Sequence, residues 1–241
     1  MGRAPAQEGN AVSTNAHLSG ARLSTVLYDT LKGRLLDGRY RAGEKIVVES
    51  VRHEFGVSKQ PVMDALRRLS SDGLVSIVPQ VGIQVVSYTR REVEDFFTLF
   101  GGFEGTIAGV AALRRTDEQL RALDAVSEAV DELIDSHDGA ERSRGYRARN
   151  REFHAVIHDM AHSRIMAETS HRMWDLSDFL INTTGADDPL SSALVERQHD
   201  HRSITDAIRM GDARLARVTM EQHIVDTVAV IGTEEPDSLT G

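Results

Sequence analysis

The run Gly56-Val-Ser-Lys-Gln-Pro-Val-Met-Asp-Ala-Leu-Arg-Arg-Leu69 begins on a glycine that stops one helix and then starts another. Ser58 stands where an N-cap belongs, and Pro61 falls in the first turn, where its missing N–H costs no hydrogen bond. Val62, Ala65, Leu66 and Leu69 form one apolar stripe, so Lys59, Met63 and Arg67 project outward with Gln60 beside them. Upstream, Leu23 to Leu36 has helical spacing and ends at Gly38; Arg41-Ala-Gly43 reads as a turn and Glu49–Phe55 as a short helix. Downstream, Gly73 stops the helix, and the strands Leu74–Val78 and Ile83–Ser87 flank the turn Pro79-Gln80-Val81-Gly82. Helix, helix, tight turn, helix and hairpin make a winged helix-turn-helix. The N-terminus of its third helix suits the DNA major groove, and its free N–H groups attract phosphate.

Charge is divided along the chain in the same sense. Ala21–Tyr88 carries ten Lys/Arg against seven Asp/Glu, a net of +3; the whole-chain charge of −9 less that +3 leaves −12 on Thr89–Gly241. An acidic body confines nucleic-acid contact to the basic head. At 241 residues there is room for two modest domains. The polar stretches 1–20 and 233–241 read as disordered tails, the first without the apolar core of a secretory signal. No apolar run approaches the roughly 20 residues that span a bilayer, so no membrane partner is expected. The absence of cysteine fits a cytoplasmic protein.

From Thr89 to about residue 232 the apolar residues recur at threes and fours, as in Leu120, Leu123, Val126, Val130 and Leu133. The chain is therefore mainly α, with six helices expected over 89–115, 117–136, 141–161, 163–183, 189–210 and 212–231 in an antiparallel bundle. Thr89, Asp117, Ser163 and Asp212 are candidate caps, and Gly139, Gly185 and Gly211 punctuate. Eight of the ten histidines lie in this segment. Asn150 and His154 share a face, His201 follows the stripe of Leu194, Ile204 and Ile208, and His223 adjoins Ala216, Met220 and Ile224. Convergence of these four residues would make either a metal centre or a hydrogen-bonded polar pocket. His158, His162, His171 and His199 read as surface residues or as supports behind these four, with His158 placed to orient His154, and Trp174 and Phe179 read as core. Gly101, Gly102 and Gly105 in one helix read either as close packing or as space for a bulky ligand.

Two resemblances sharpen this reading. Gly56–Leu69, Asp72-Gly-Leu-Val75, the Pro79–Gly82 wing and Gly38–Ile46 resemble the GntR family of bacterial regulators through Arg22–Ser87. The resemblance implies a DNA-binding domain over 21–88, with Ser58, Lys59, Gln60, Met63, Arg67, Gln80 and Gly82 as contacts to a palindromic operator. Where that family usually has arginine this chain has Lys59 and Met63, and its wing reads Gln80-Val81 for the usual Asn-Arg, which implies either a different operator or a Met63 that packs against the domain. Asn150-Arg-Glu-Phe-His154, His201 through Asp212, and Met220-Glu-Gln-His223-Ile resemble the FCD effector domain of the FadR branch, over most of 90–230. That implies an effector-binding and dimerisation domain over 89–232 and a homodimer. It also implies a divalent ion, zinc or nickel, on Asn150, His154, His201 and His223. The resemblance further implies a small-molecule effector, of the organic-acid class, near Phe100, Gly101, Glu104 and His158. Asn150 replaces the family's aspartate and Phe100 a ligand-gripping arginine.

The expected function is thus a sequence-specific repressor tuned by a small molecule. The alternatives are a dimeric DNA binder whose bundle takes no ligand, and a metal-dependent enzyme. His154-Ala-Val-Ile-His158 lacks the glutamate of the zincin helix, and no phosphate loop or nucleophile elbow occurs, which speaks against an enzyme.

Overall fold

The computed structural model describes residues 20–134, 139–183 and 193–231. Residues 1–19 and 233–241 of the expected tails, together with His137 and Gly185, lie outside the described residues, and Gly20 already belongs to the first helix. The head is built from α1 (Gly20–Leu36), β1 (Lys45–Ile46), α2 (Val48–Phe55), α3 (Lys59–Ser71), β2 (Val75–Val78) and β3 (Gly82–Val85). The three strands form an antiparallel sheet in the order β1-β3-β2, with Ile77 opposite Ile83 and Lys45 opposite Gln84. Sequence reading expects only the hairpin, because two residues are too few to show the alternation that marks a strand. Leu27, Leu31 and Leu35 of α1 pack with Val62, Leu66 and Leu69 of α3. Gly56 ends α2 in the left-handed conformation, φ 63°. Ser58 holds the N-cap position of α3, but its side chain makes no capping bond.

The wing turns sharply. Val81 N donates to Val78 O at 3.2 Å, and Gln80 takes φ 64°, a conformation usually left to glycine. Pro79 before it has the φ that such a turn needs at its first central position.

The bundle comprises α4 (Arg90–Arg114), α5 (Asp117–Ile134), α6 (Gly139–Met160), α7 (Arg164–Thr183), α8 (Leu194–Met210), α9 (Ala213–Val225) and α10 (Thr227–Ile231). Thr89 and Glu92 form a capping box at α4, and Asp212 Oδ1 accepts from the N–H groups of Arg214 and Leu215 at α9. At α5 the cap is Thr116 rather than Asp117: Thr116 and Gln119 exchange backbone-to-side-chain bonds across the first turn. The last expected helix divides at Asp226, and Gly139 opens α6 instead of separating two helices.

Helix α4 is the central helix and packs most extensively on α9. It is long and apolar enough to cross a membrane by length and composition alone, contrary to the reading that no run comes close, but over half of that window is buried by its neighbours. Along the α4–α9 seam, a Cβ on Gly101, Gly105 or Gly109 would lie 2.9, 2.7 and 2.9 Å from the backbone oxygens of Glu221, Arg217 and Ala213. Both series step by four residues, so one glycine face of α4 lies directly on the backbone of α9. A Cβ added on Gly102 would meet nothing within 4 Å beyond its own helix.

Head and bundle share one apolar core, running from Leu27 through Phe97 and Phe179 to Ile231. Polar contacts tie α1 to α7. Lys32 Nζ meets Asp175 Oδ2 at 2.6 Å, and Asn182 Nδ2 donates to Leu36 O at 2.8 Å. Arg147 of α6 reaches Asp37 just beyond α1, at 3.1 Å.

Candidate functional site

The start of α3 and the wing both lie at the surface of the head. Ser58, Lys59, Gln60, Arg67, Gln80 and Gly82 are all exposed there. Met63, expected to project outward, is half-buried against the core of the head. Its unbranched thioether bends back onto apolar neighbours because it has no polar end to keep in water. Sequence reading missed Asp64. Its Oδ1 accepts from Gln60 Nε2 at 2.9 Å and from Arg67 Nη1 at 2.8 Å, so one carboxylate holds two candidate DNA-contacting side chains. The three-and-four spacing of Gln60, Asp64 and Arg67 was the available signal.

The second constellation lies inside the bundle. His154 comes from α6, His201 from α8 and His223 from α9, and each is at most 1 % exposed. Their ligand nitrogens all lie within 4.8 Å of one another, and His201 Nε2 is 3.2 Å from His223 Nε2. Phe153 stacks on His201 with centroids 4.0 Å apart, and Trp174 lies against His154 at 4.3 Å. Asp200 Oδ2 is 3.1 Å from His223 Nδ1, which turns the Nε2 of that ring toward the other two. Asn150, one turn before His154, is buried and accepts from the Tyr146 hydroxyl at 3.4 Å.

These residues fit a divalent ion. Tetrahedral zinc at ordinary Zn–N distances separates its nitrogens by about 3.3 Å. His154 Nδ1 lies 3.6 Å from the Glu104 carboxylate and its Nε2 has no hydrogen-bond partner, an expensive condition for a buried imidazole that coordination through Nε2 would relieve. A carboxylate behind a ligating imidazole, as Asp200 stands behind His223, is the usual supporting contact. Burial lowers all three imidazoles, His154 to about 4 and His201 and His223 well below the ordinary histidine value, so they present the neutral form that metals bind.

Glu104 stands beside this centre, 1 % exposed. His158 Nε2 lies 2.9 Å from its Oε2, Ser170 Oγ donates to its Oε1 at 2.5 Å, and His154 Nδ1 is 3.6 Å away. Burial alone would raise its pKa, but the facing imidazoles of His154 and His158 outweigh that and hold it near 2. Phe100 is fully buried between Phe96 and Trp174, with centroids at 5.5 and 5.1 Å. Gly101 turns its open side to α9 rather than to a cavity, so close packing accounts for it and space for a ligand does not. A cleft of about 470 Å³ opens between α6 and α7, lined in part by Arg151, His158, Trp174 and Asp175. Trp174 lines this cleft and packs against His154.

Arg197 was also missed by sequence reading, although it lies one turn before His201 on α8. It is 5 % exposed; Nη1 donates to His223 O at 2.6 Å, and Nη2 lies 3.2 Å from His223 Nε2 and 3.0 Å from Thr227 Oγ1.

Known proteins share this chain's two domains. Residues 23–85 match the family model described as bacterial regulatory proteins, gntR family, and residues 95–226 match the FCD domain. The HTH-type transcriptional regulator YdhC of Bacillus subtilis strain 168 is 26 % identical over 200 residues, covering 82 % of this chain and 84 % of its own length. The HTH-type transcriptional repressor GlaR of Escherichia coli K12 is 25 % identical over 211 residues, covering 85 % and 93 %. Among solved structures, E. coli McbR/YncC superposes with a TM-score of 0.69 at 18 % identity, covering 87 % of this chain and 96 % of that one. A regulator from Rhodococcus sp. RHA1 gives 0.65 at 18 %, covering 86 % and 96 %. At that identity the structural likeness speaks for the fold alone.

Proposed function

The chain belongs to the GntR family of bacterial regulatory proteins and carries an FCD domain, and from that premise we propose that it is a cytoplasmic repressor of the FadR branch whose hold on a palindromic operator is set by a small molecule at the His154–His201–His223 centre. That the chain is a DNA-binding transcriptional regulator and not an enzyme follows from the family itself. The repressor reading draws on GlaR, whose name says repressor.

The observation that carries the proposal is the set of three buried imidazoles with ligand nitrogens within 4.8 Å of one another. His154, His201 and His223 would hold a zinc or nickel ion, with the Asn150 side-chain oxygen as fourth donor once released from Tyr146. A bound ion would polarise and orient the oxygen of an acidic ligand. The residues do the rest: Asp200 fixes the tautomer of His223, Glu104 balances charge behind His154, and Phe153 and Trp174 keep water from the rings.

Two features connect the centre to the head. Trp174 touches His154, and its neighbour Asp175 pairs with Lys32 on α1. An effector entering by the α6–α7 cleft would therefore meet Trp174 and Asp175 together, and movement of α7 would move α1. In a homodimer the same movement changes the spacing of two α3 helices, so two-site binding is lost or gained. The effector acts only through its different affinity for the two arrangements.

The deciding experiment measures metal in protein purified without chelator or affinity tag, beside His201→Ala. Near-stoichiometric metal in the parent and little in the variant is the expected result. No metal in either, even after incubation with Zn²⁺ or Ni²⁺, would overturn the metal part of the reading.

A further inference from the structure

Arg197 is the one buried Lys or Arg side chain among the described residues. Its head is aimed at the histidine centre, with Nη2 3.2 Å from the His223 nitrogen that faces the other two rings. Its partners are the His223 carbonyl oxygen and ring nitrogen and the hydroxyls of Thr227 and Tyr146, and Asp200 feels its charge without forming a direct ion pair with it among the described residues. Its Nε has no hydrogen-bond partner at all. A guanidinium carries five donors in a planar fork matched to a carboxylate, and burying one without an anion is costly. The carboxylates nearby are already engaged: Glu104 by His158 and Ser170, and Asp200 by His223 Nδ1.

The donor set makes this charge matter. Three imidazoles and the Asn150 amide are neutral, and the Tyr146 hydroxyl beside Asn150 is held in its neutral form by burial. A divalent ion at the centre and the Arg197 guanidinium together outweigh Glu104 and Asp200 by one unit of charge. They also repel each other across the short distance at His223.

We infer that Arg197 is the carboxylate anchor of this centre, so that ion and carboxylate effector bind together and each binds poorly alone. The inference rests on the metal reading of His154, His201 and His223. A carboxylate placed between the ion and the fork removes the repulsion and supplies the missing charge, and by linkage the gain for one ligand equals the gain for the other. The uncommitted Nε and an Nη now spent on a ring nitrogen are the donors that such a group would take.

The test uses the full chain, Co²⁺ as the ion with its visible absorption as readout, and sodium acetate against sodium chloride at equal ionic strength. In the wild type, Co²⁺ is expected to bind about tenfold or more tightly in acetate. Arg197→Gln should bind Co²⁺ in chloride more tightly than the wild type, because the repelling charge is gone, and should lose the benefit of acetate. These opposite changes are not what a damaged fold produces. Arg197→Lys, which keeps the charge without the fork, should keep weak binding in chloride and lose most of the acetate effect. If Arg197→Gln does not fold, the wild type and the lysine variant decide. Equal Co²⁺ affinity in the two salts, or an acetate benefit that survives loss of the guanidinium, would overturn the inference while leaving the metal reading intact. Absence of Co²⁺ binding in either salt would overturn the metal reading and this inference with it.

Discussion

Asp64 accepts hydrogen bonds from Gln60 and Arg67 through a single oxygen, so two side chains aimed at DNA are held together before DNA arrives. Preorganised side chains lose less freedom on binding. Met63, between them in sequence, has settled against the head instead. Replacing it by arginine puts back a donor that reads guanine, so Met63→Arg is expected to shift the motif recovered in binding-site selection. An unchanged motif would mean that position 63 plays no part in reading the operator. Gln80 lies at the wing with φ 64°, where a non-glycine residue is strained by about 1 kcal/mol. Gln80→Gly should raise unfolding stability by about that amount in chemical denaturation. Operator affinity should fall in the same variant if the amide contacts DNA, and an unchanged affinity would assign Gln80 to the turn alone. The periodicity of α3 was legible in the sequence, and so was the identity of its outward positions. The bend of Met63 was left open between two readings, since spacing says which face a residue leaves from and not where a flexible chain comes to rest.

At the scale of elements, the α4–α9 seam answers a question the sequence left open. Gly105→Ala places a methyl 2.7 Å from the Arg217 carbonyl oxygen, a contact that neither backbone can relieve without moving. It should destabilise the protein by roughly 1–3 kcal/mol. At Gly102, three residues away, an added Cβ would meet open space. Gly102→Ala should therefore stabilise by about 1 kcal/mol through helix propensity. Thermal or urea unfolding of the pair checks both signs, and similar effects from the two substitutions would refute the seam. Helix starts were legible wherever a cap is written in the chain, as at Thr89 and Asp212. The break at Asp226 and the two-residue β1 were not, because tertiary packing sets the first and a partner strand the second. His154, His201 and His223 were legible as a group because each shares its helix stripe with core residues. Arg197 was not, because an arginine on a helix is read as solvent-facing until its neighbours are known.

Across the whole molecule, the head carries +3 and the remainder after it −12. DNA affinity should accordingly fall with salt, log K declining linearly with log salt, since phosphate contacts release counterions. A salt-insensitive affinity would sink the assignment of Lys59 and Arg67 to the interface. The Lys32–Asp175 pair joins head to bundle with both side chains mostly buried. Lys32→Ala should cost roughly 1–3 kcal/mol of stability, since Asp175 keeps Arg151 as a second partner, and should reduce the difference in operator affinity with and without Zn²⁺ and acetate. If that difference is untouched, the coupling runs elsewhere. The division into two charge regimes could be read from the sequence, but not the single core that joins them, because contacts between Tyr88 and Phe179 link residues far apart in the chain.

The glycine face of α4 also has a genetic meaning. Glycine is the smallest residue, so every missense change at Gly101, Gly105 or Gly109 adds atoms where a backbone oxygen already stands within 3 Å. No codon substitution there is mild. Screens for alleles that have lost regulation should return these three positions repeatedly, at sites remote from the operator-reading face.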